Sequence, residues 1–129
     1  MAVALTELRL LIVEDEMMVA MMLEDMLADL GCVVVDVAAT LPRGLALASN
    51  ASVAFNGAIL DVNLGGDKVY PVAEALAARS IPFFFATGYG LAGIAESFSR
   101  VPALSKPYNV GDLERMLTVV FSRSAEAGG

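Results

Sequence analysis

Short apolar runs alternate with segments of helical period along most of the chain, and this alternation constrains the fold more than any other feature. The first apolar run covers residues 8–13, and apolar side chains then recur every three or four positions through residues 16–30. Strands that are apolar throughout need cover on both faces, which helices provide above and below a parallel sheet. The pattern therefore predicts an α/β protein with a doubly wound, five-stranded parallel sheet and five helices.

The predicted elements form one domain over residues 1–123, followed by a disordered tail over residues 124–129. A length of 129 residues suits one hydrophobic core. We expect the first helix to contact the sheet through an apolar stripe. The stripe is formed by Val19, Met22, Leu23, Met26 and Leu30. The predicted strands are 8–13, 32–37, 58–60, 81–86 and 101–104. The predicted helices are 16–30, 40–49, 70–79, a short one within 91–98, and 110–123.

Composition and charge exclude several classes of function. Fifteen acidic residues against eight basic ones give a net charge of -7, which disfavours binding to nucleic acid. The chain has no histidine, so a Ser-His-Asp or Cys-His catalytic site is excluded, and Cys32 alone cannot form an intramolecular disulfide. No apolar run approaches the roughly 20 residues of a transmembrane helix, and no basic leader precedes the first strand. We therefore expect a soluble cytoplasmic protein with no membrane partner.

Polar and charged side chains stand where the predicted strands end. Acidic residues 14–16 follow the first strand, and Asp61 ends the third. Thr87 follows the fourth strand, and Lys106 follows the fifth. In a doubly wound sheet the ligand site lies beyond the carboxyl ends of the strands. If strands one, three, four and five are neighbours, these residues meet in one crevice.

This set of side chains indicates phosphoryl chemistry with a hard metal ion. Clustered carboxylates repel one another, and oxygen ligands without histidine or thiolate suit Mg²⁺. An aspartate beside Mg²⁺ can act as a nucleophile toward phosphorus. Lys106 then offers a positive charge to the phosphoryl oxygens, and Thr87 offers a hydroxyl donor.

Four short motifs, each at the end of a predicted strand, resemble those of a known family. They are Val-Glu-Asp-Glu at 13–16, Leu-Asp-Val-Asn at 60–63, Ala-Thr-Gly at 86–88 and Ser-Lys-Pro at 105–107. In this order and spacing they resemble the receiver domains of bacterial two-component response regulators. The resemblance covers nearly the whole chain and implies the flavodoxin-like strand order 2-1-3-4-5.

The resemblance implies roles for the acidic residues. Asp61 is the expected phosphoacceptor, taking the phosphoryl group from a sensor histidine kinase or a phosphotransfer protein. Asp15, Asp61 and the backbone carbonyl of Asn63 are expected to bind Mg²⁺, with Glu14 acting through water. Many receivers have aspartate at the position of Glu14. The only reaction that the resemblance implies for the domain is its own phosphorylation and dephosphorylation, so it is not otherwise an enzyme.

Other residues of the motifs are expected to respond to the phosphoryl group. Lys106 pairs with it, and Thr87 moves toward it on activation. Pro107, after a cis peptide bond, and Gly88 shape the loops around the site. Asn63 and Tyr89 are expected to tune the rate of phosphoryl hydrolysis.

One departure from the family concerns the aromatic switch. Many receivers have a tyrosine or phenylalanine three positions before the lysine, and this chain has Ala103 there. The run Phe-Ala-Thr-Gly at 85–88 is similar to a signature of mostly stand-alone receivers, often linked to kinases of the HWE type. We therefore expect signalling through a rearrangement after the fourth strand, with Tyr89 as a substitute ring.

Three methionines at the start of the first helix point to a protein contact. Met17, Met18 and Met21 lean outward near the acidic cluster, where a soluble helix is usually polar. Exposed methionine is an adaptable contact surface, and receivers dock on their kinases through this helix. We expect these side chains to contact the kinase, and the domain to act as a monomer or weak dimer.

Two other functions remain open at this stage. The first is a receiver fold that serves only as a protein-interaction module and is not phosphorylated. The second is a phosphohydrolase of the haloacid-dehalogenase type, which also uses an aspartate nucleophile, Mg²⁺ and a lysine. That family places a second aspartate two residues after the nucleophile, where this chain has Asn63.

Overall fold

A computed structural model of the protein describes residues 4–88 and 94–128, with the backbone alone for 122–128. Five of its strands form one parallel sheet. The strands are β1 (Arg9–Val13), β2 (Val33–Ala38), β3 (Gly57–Asp61), β4 (Asn63–Leu64), β5 (Asp67–Lys68), β6 (Phe83–Thr87) and β7 (Ala103–Ser105). The helices are α1 (Met17–Asp29), α2 (Leu41–Ala48), α3 (Tyr70–Ala78) and α4 (Val110–Gly128).

The parallel sheet has the strand order β2-β1-β3-β6-β7. These are the five strands predicted from the apolar runs, so the doubly wound fold and the order 2-1-3-4-5 are confirmed. The order reverses direction at β1, because β2 lies on one side of it and β3 on the other. The carboxyl ends of β1, β3, β6 and β7 therefore lie along one edge of the sheet.

Alternate side chains of each central strand enter two separate hydrophobic layers. In β1, Leu11 and Val13 pack with α2 and α3, whereas Leu10 and Ile12 pack with α1 and α4. In β6, Phe85 belongs to the first layer and Phe84 to the second. Burial on both faces explains why these strands are apolar throughout, since each face needs its own layer of helices.

The helix ends follow the signals in the sequence. Gly31, at φ +87°, closes α1, and the Cys32 amide donates to the Leu27 carbonyl at 2.9 Å. Glycine adopts this left-handed conformation without steric cost, which is why helices often end on it. At the start of α2 the Arg43 amide donates to Thr40 Oγ1 at 3.3 Å, so Thr40 is the N-cap.

The buried face of α1 differs from the predicted stripe. Ala20, Leu23 and Leu27 are the buried residues of this helix, and Met22 is 57% exposed. The prediction that Met22 packs in the core is therefore wrong. Apolar residues lie on several sides of α1, so helical period alone did not determine which side faces the sheet.

Two other segments differ from the prediction. Four α-helices occur in the described residues instead of five, because the described part of segment 91–98 contains only a 3-10 turn at Glu96–Phe98. Residues 63–68, which lie outside all the predicted strands and helices, form the hairpin β4-β5. Helix α4 continues past its predicted end at residue 123, and the disordered tail stays a prediction. Among the helices that are described, none is long and apolar enough to cross a lipid bilayer.

Candidate functional site

A cleft of about 440 Å³ opens at the carboxyl edge of the sheet. Glu14 follows β1, Asp61 and Thr87 are the last residues of β3 and β6, and Lys106 follows β7. The sheet therefore brings together side chains that lie as many as 92 positions apart in the sequence. The residues that line the cleft are Asp15, Glu16, Asp61, Asn63, Gly65, Gly66, Gly88 and Lys106.

The ammonium group of Lys106 joins two buried carboxylates. Its Nζ lies 2.6 Å from Glu14 Oε1 and 3.4 Å from Asp61 Oδ2. Glu14 and Asp61 are both buried, and the Lys106 side chain is 19% exposed. The two carboxylates share one ammonium, so loss of Lys106 would leave buried negative charge uncompensated, which is strongly destabilising.

Burial and neighbouring charges change the pKa values of Glu14 and Lys106. Burial, together with a hydrogen bond and repulsion from Asp61, raises the pKa of Glu14 from 4.5 to about 7, although Lys106 acts in the opposite direction. Burial alone lowers the pKa of Lys106, but the hydrogen bond to Glu14 and the charge of Asp61 raise it overall. Lys106 therefore remains a cation, and the acidic side of the cluster has more negative charge than Lys106 can neutralise.

The donor set on this side of the cleft suits a hard cation. One carboxylate oxygen each from Glu14, Asp15 and Glu16 can be chosen so that the three lie within 4.8 Å of one another. Asp61 and Asn63 line the same cleft, and the backbone amide of Asn63 donates to Asp61 Oδ1 at 3.4 Å. All of these side chains offer oxygen and none offers sulfur or imidazole nitrogen, which favours Mg²⁺ or Ca²⁺. Glu16, which the predicted ligand set omits, also belongs to this acidic cluster.

The ends of β6 and β7 are joined beside the acidic cluster. Thr87 pairs with Ser105 across the two strands, and the Lys106 amide donates to the Thr87 carbonyl at 2.9 Å. Thr87 is buried, and the Lys106–Pro107 peptide bond is cis, as the resemblance implies. Gly88 lines the cleft, whereas Tyr89 lies outside the described residues.

An aromatic cluster that the sequence analysis did not identify lies behind the end of β6. Tyr70 stacks on Phe98, with ring centroids 5.2 Å apart and planes 7° apart, and both rings meet the edge or face of Phe85. The Tyr70 hydroxyl also accepts a hydrogen bond from the Ala95 amide at 2.8 Å. Phe85 pairs with Ala103 across β6 and β7, so the cluster adjoins the position where many receivers carry their switch ring. A sequence signal for the cluster was absent, because its members come from three separate segments.

The methionines of α1 form an exposed apolar surface beside the cleft. Met17, Met18 and Met21 are 76%, 78% and 56% exposed, as the helical period predicts. Met22 and Met26 line an apolar groove of about 260 Å³ together with Pro107 and neighbouring side chains. Lys106 borders this groove as well as the acidic cleft, so the groove and the cleft adjoin each other.

Replacement of Glu14 tests the charge balance of the cluster. The raised pKa means that ionised Glu14 is disfavoured in the folded protein, so its cost appears as pH rises from about 4.5 through 7. We expect Glu14→Gln to raise the free energy of unfolding by about 1–3 kcal/mol at pH 8 without divalent metal, and to change it little near pH 4.5. Urea unfolding at both pH values measures this difference. Glu74→Gln, on an exposed part of α3, is the control, and a destabilised Glu14→Gln protein at pH 8 would contradict the expectation.

Comparisons with known proteins place this geometry in a family. No protein-family model and no curated protein matches the sequence. Among solved structures, the chain is similar to SdrG from Sphingomonas melonis Fr1, with 44% identity, a TM-score of 0.75, and coverage of 87% of this chain and 94% of SdrG. The BeF₃-activated conformation of SdrG from Pseudomonas melonis Fr1 is similar at 44% identity and a TM-score of 0.74, covering 88% of this chain and 94% of that one.

A more distant structure shares the fold. The response regulator REC domain of Erythrobacter litoralis PhyR has 21% identity and a TM-score of 0.70, with coverage of 92% of this chain and 90% of that domain. The strand order and the strand-end residues agree with the expectation from the four sequence motifs. With 44% identity to SdrG over almost all of both chains, the protein belongs to the receiver domains of two-component response regulators.

Proposed function

We propose that the protein is a phosphoacceptor of a two-component pathway in the cytoplasm, and that Asp61 accepts a phosphoryl group from a sensor histidine kinase or a phosphotransfer protein. The observation that carries the proposal is the position of Asp61. Its carboxylate lines an oxygen-rich cleft and lies 3.4 Å from the ammonium of Lys106. The likeness to SdrG, whose solved states include a BeF₃-activated conformation, supports it.

In the proposed reaction a carboxylate oxygen of Asp61 attacks the phosphorus of a phosphohistidine. The new bond joins this oxygen to phosphorus, while the bond from phosphorus to the imidazole nitrogen breaks and its electron pair leaves with the imidazole. Lys106 compensates the negative charge of the phosphoryl oxygens, and the Thr87 hydroxyl donates to one of them. Lys106 already lies beside Asp61 at the end of β7, whereas Thr87 moves toward the acceptor when the phosphoryl group arrives.

Mg²⁺ is the cofactor that we propose for this site. Asp15, Asp61 and the backbone carbonyl of Asn63 would hold it, and Glu14 would act through a bound water. When bound, it supplies positive charge that offsets the repulsion between the carboxylates and the incoming phosphoryl group. Glu14 and Asp61 share the single ammonium of Lys106, and Asp15 and Glu16 lie beside Glu14, which agrees with a second cation at this end of the cleft.

Phosphorylation by a small donor tests the acceptor. Incubation with acetyl phosphate and Mg²⁺ is expected to add one phosphoryl group to the wild-type protein, as measured by intact mass. Asp61→Asn is expected to abolish the adduct because the amide is a poor nucleophile. Asp25→Asn, an equal change on the exposed side of α1, is expected to leave it unchanged.

Other outcomes of this experiment separate the competing functions. An adduct that is absent with every donor, although Mg²⁺ still binds, would favour an interaction module that is not phosphorylated. Multiple-turnover release of phosphate from phosphate monoesters would instead favour a phosphohydrolase. An adduct that persists in Asp61→Asn would show that another residue is the acceptor.

The signal is proposed to leave the site through the segment after β6. We propose that the chain belongs to the subgroup of receivers with Phe-Ala-Thr-Gly, here at 85–88, and that its partners are kinases of the HWE type. Gly88, directly after β6, lines the cleft, and the Ala95 amide donates to the hydroxyl of Tyr70, whose ring contacts Phe85 of β6. Tyr89 is proposed as the ring that replaces the missing aromatic at Ala103.

Backbone amides report on this rearrangement. Addition of BeF₃⁻ and Mg²⁺ is expected to shift the amide resonances of Gly88 and Ala95 in the wild-type protein, because Thr87 moves toward the acceptor. Leu45, an exposed residue of α2 that does not line the cleft, serves as the reference resonance. The same addition to Asp61→Asn is expected to leave all three amides unshifted. Unshifted Gly88 and Ala95 in the wild type, under conditions where BeF₃⁻ binds, would exclude this route.

The methionine surface of α1 is proposed as the kinase contact. Met17 directly follows Glu16, which lines the cleft, so a partner bound on Met17, Met18 and Met21 lies close to the acceptor site. Exposed thioether side chains also adapt to an apolar partner surface. The domain is proposed to meet the kinase as a monomer or weak dimer.

Charged substitutions test this contact. Met17→Asp combined with Met21→Asp is expected to slow phosphotransfer from autophosphorylated HWE-type kinases at least about tenfold, because the charges would be desolvated at the contact. Labelling by acetyl phosphate is expected to stay unchanged, since it needs no docking. Val119→Asp, at an exposed position on α4, is the matched control. Equal transfer rates for all three proteins would refute the contact.

A further inference from the structure

A tight hairpin follows the acceptor strand and reaches the rim of the cleft. Strands β4 and β5 pair antiparallel, with Asn63 opposite Lys68 and Leu64 opposite Asp67. Gly65 and Gly66 form the turn at φ +56° and +99°. A two-residue turn with both φ values positive is the type that matches the twist of paired strands, and glycine accepts it readily. The turn therefore sets the register that places Lys68 opposite Asn63.

Within this hairpin the ammonium of Lys68 donates a hydrogen bond to the side-chain oxygen of Asn63. Asn63 lines the cleft and is bonded through its backbone amide to Asp61. Lys68 is exposed and is not among the residues that line the cleft. Any influence of Lys68 on the acceptor therefore acts most directly through the Asn63 side chain.

The bond matters because the oxygen of an amide can also accept a hydrogen bond from water. In hydrolysis of an aspartyl phosphate, the water oxygen bonds to phosphorus while the bond from phosphorus to the carboxylate oxygen breaks. Its electron pair returns to the carboxylate, and the proton of the water passes to the released phosphate or to solvent. If the side-chain oxygen of Asn63 is free beside the phosphoryl group, it can orient this water. When the Lys68 ammonium occupies that oxygen, the side-chain amide of Asn63 is held in another direction.

We propose that Lys68 is a positioning residue that prolongs the life of the phosphoryl group by holding the Asn63 side chain away from the attacking water. The proposal deepens the proposed function and rests on it. It assigns a role to one of the two lysines of the chain, the other being Lys106 at the site itself. The hairpin then serves as a rigid support for Asn63 instead of an ordinary loop.

Lifetimes of the phosphorylated protein test the proposal. After labelling with acetyl phosphate at saturating Mg²⁺ and removal of the donor, loss of the adduct is followed by intact mass. Lys68→Met is expected to shorten the half-life about two- to tenfold, the effect of losing one hydrogen bond of ordinary strength. Lys68→Arg keeps a cationic donor and is expected to stay close to wild type. Arg43→Met, which removes an exposed cation on α2, is the control for net charge.

A double-mutant comparison separates positioning from a general effect of charge or stability. In an Asn63→Ala background, Lys68→Met is expected to have no further effect on the half-life, because the group through which it acts is gone. Without any donor, the side-chain amide resonances of Asn63 are expected to shift in Lys68→Met and to remain in place in Arg43→Met.

Several results would overturn the proposal. It fails if Lys68→Met leaves the half-life unchanged or lengthens it, or if it shortens the half-life equally in the Asn63→Ala background. It also fails if Arg43→Met has the same effect as Lys68→Met. Absence of an adduct on the wild-type protein would overturn the proposed function and this role together, whereas an adduct with a Lys68-independent lifetime would overturn only the role of Lys68.

Discussion

The contact of the Lys106 ammonium with the carboxylates of Glu14 and Asp61 is the interaction on which the site depends. Two buried acids at adjacent strand ends are unfavourable in isolation. The single lysine that follows the edge strand β7 compensates part of their charge. The contact can form only if β1, β3 and β7 end along one edge. The strand order thus has a direct electrostatic consequence: it determines which charges must share the same low-dielectric region.

The surroundings of this contact divide into three supporting parts. On one side, the hairpin β4-β5 holds Asn63 at the rim of the cleft through its pairing with Lys68. On another, the rings of Tyr70, Phe85 and Phe98 connect α3 and β6 to the segment that follows β6. On the third, Met22 and Met26 of α1 line a groove that Lys106 also borders. Asp61 therefore lies close to Asn63, which is proposed to act on the attacking water, and on the helix-α1 side to the methionines that are proposed to contact the kinase.

How much could be predicted from the sequence differs between these parts for physical reasons. The five strands were predictable because burial on both faces leaves continuous apolar runs. The grouping of Glu14, Asp61, Thr87 and Lys106 was predictable because these residues stand at the ends of those runs. Met22 was assigned to the core wrongly, since α1 carries apolar residues on exposed as well as buried sides. The hairpin and the Tyr70 cluster were not foreseen, because short strand pairs and contacts between distant rings leave no periodic pattern.

The sequence by itself determined the fold class, the helix ends at Thr40 and Gly31, and the chemical types available for the site. These properties are local: they follow from burial of adjacent residues, from capping, and from the allowed backbone angles of glycine. Only the tertiary structure decided that Lys106 contacts both Glu14 and Asp61, that Lys68 faces Asn63, and that Tyr70 meets Phe98. Such contacts depend on strand order, register and helix rotation, which are set by packing of the whole chain and not by any one segment.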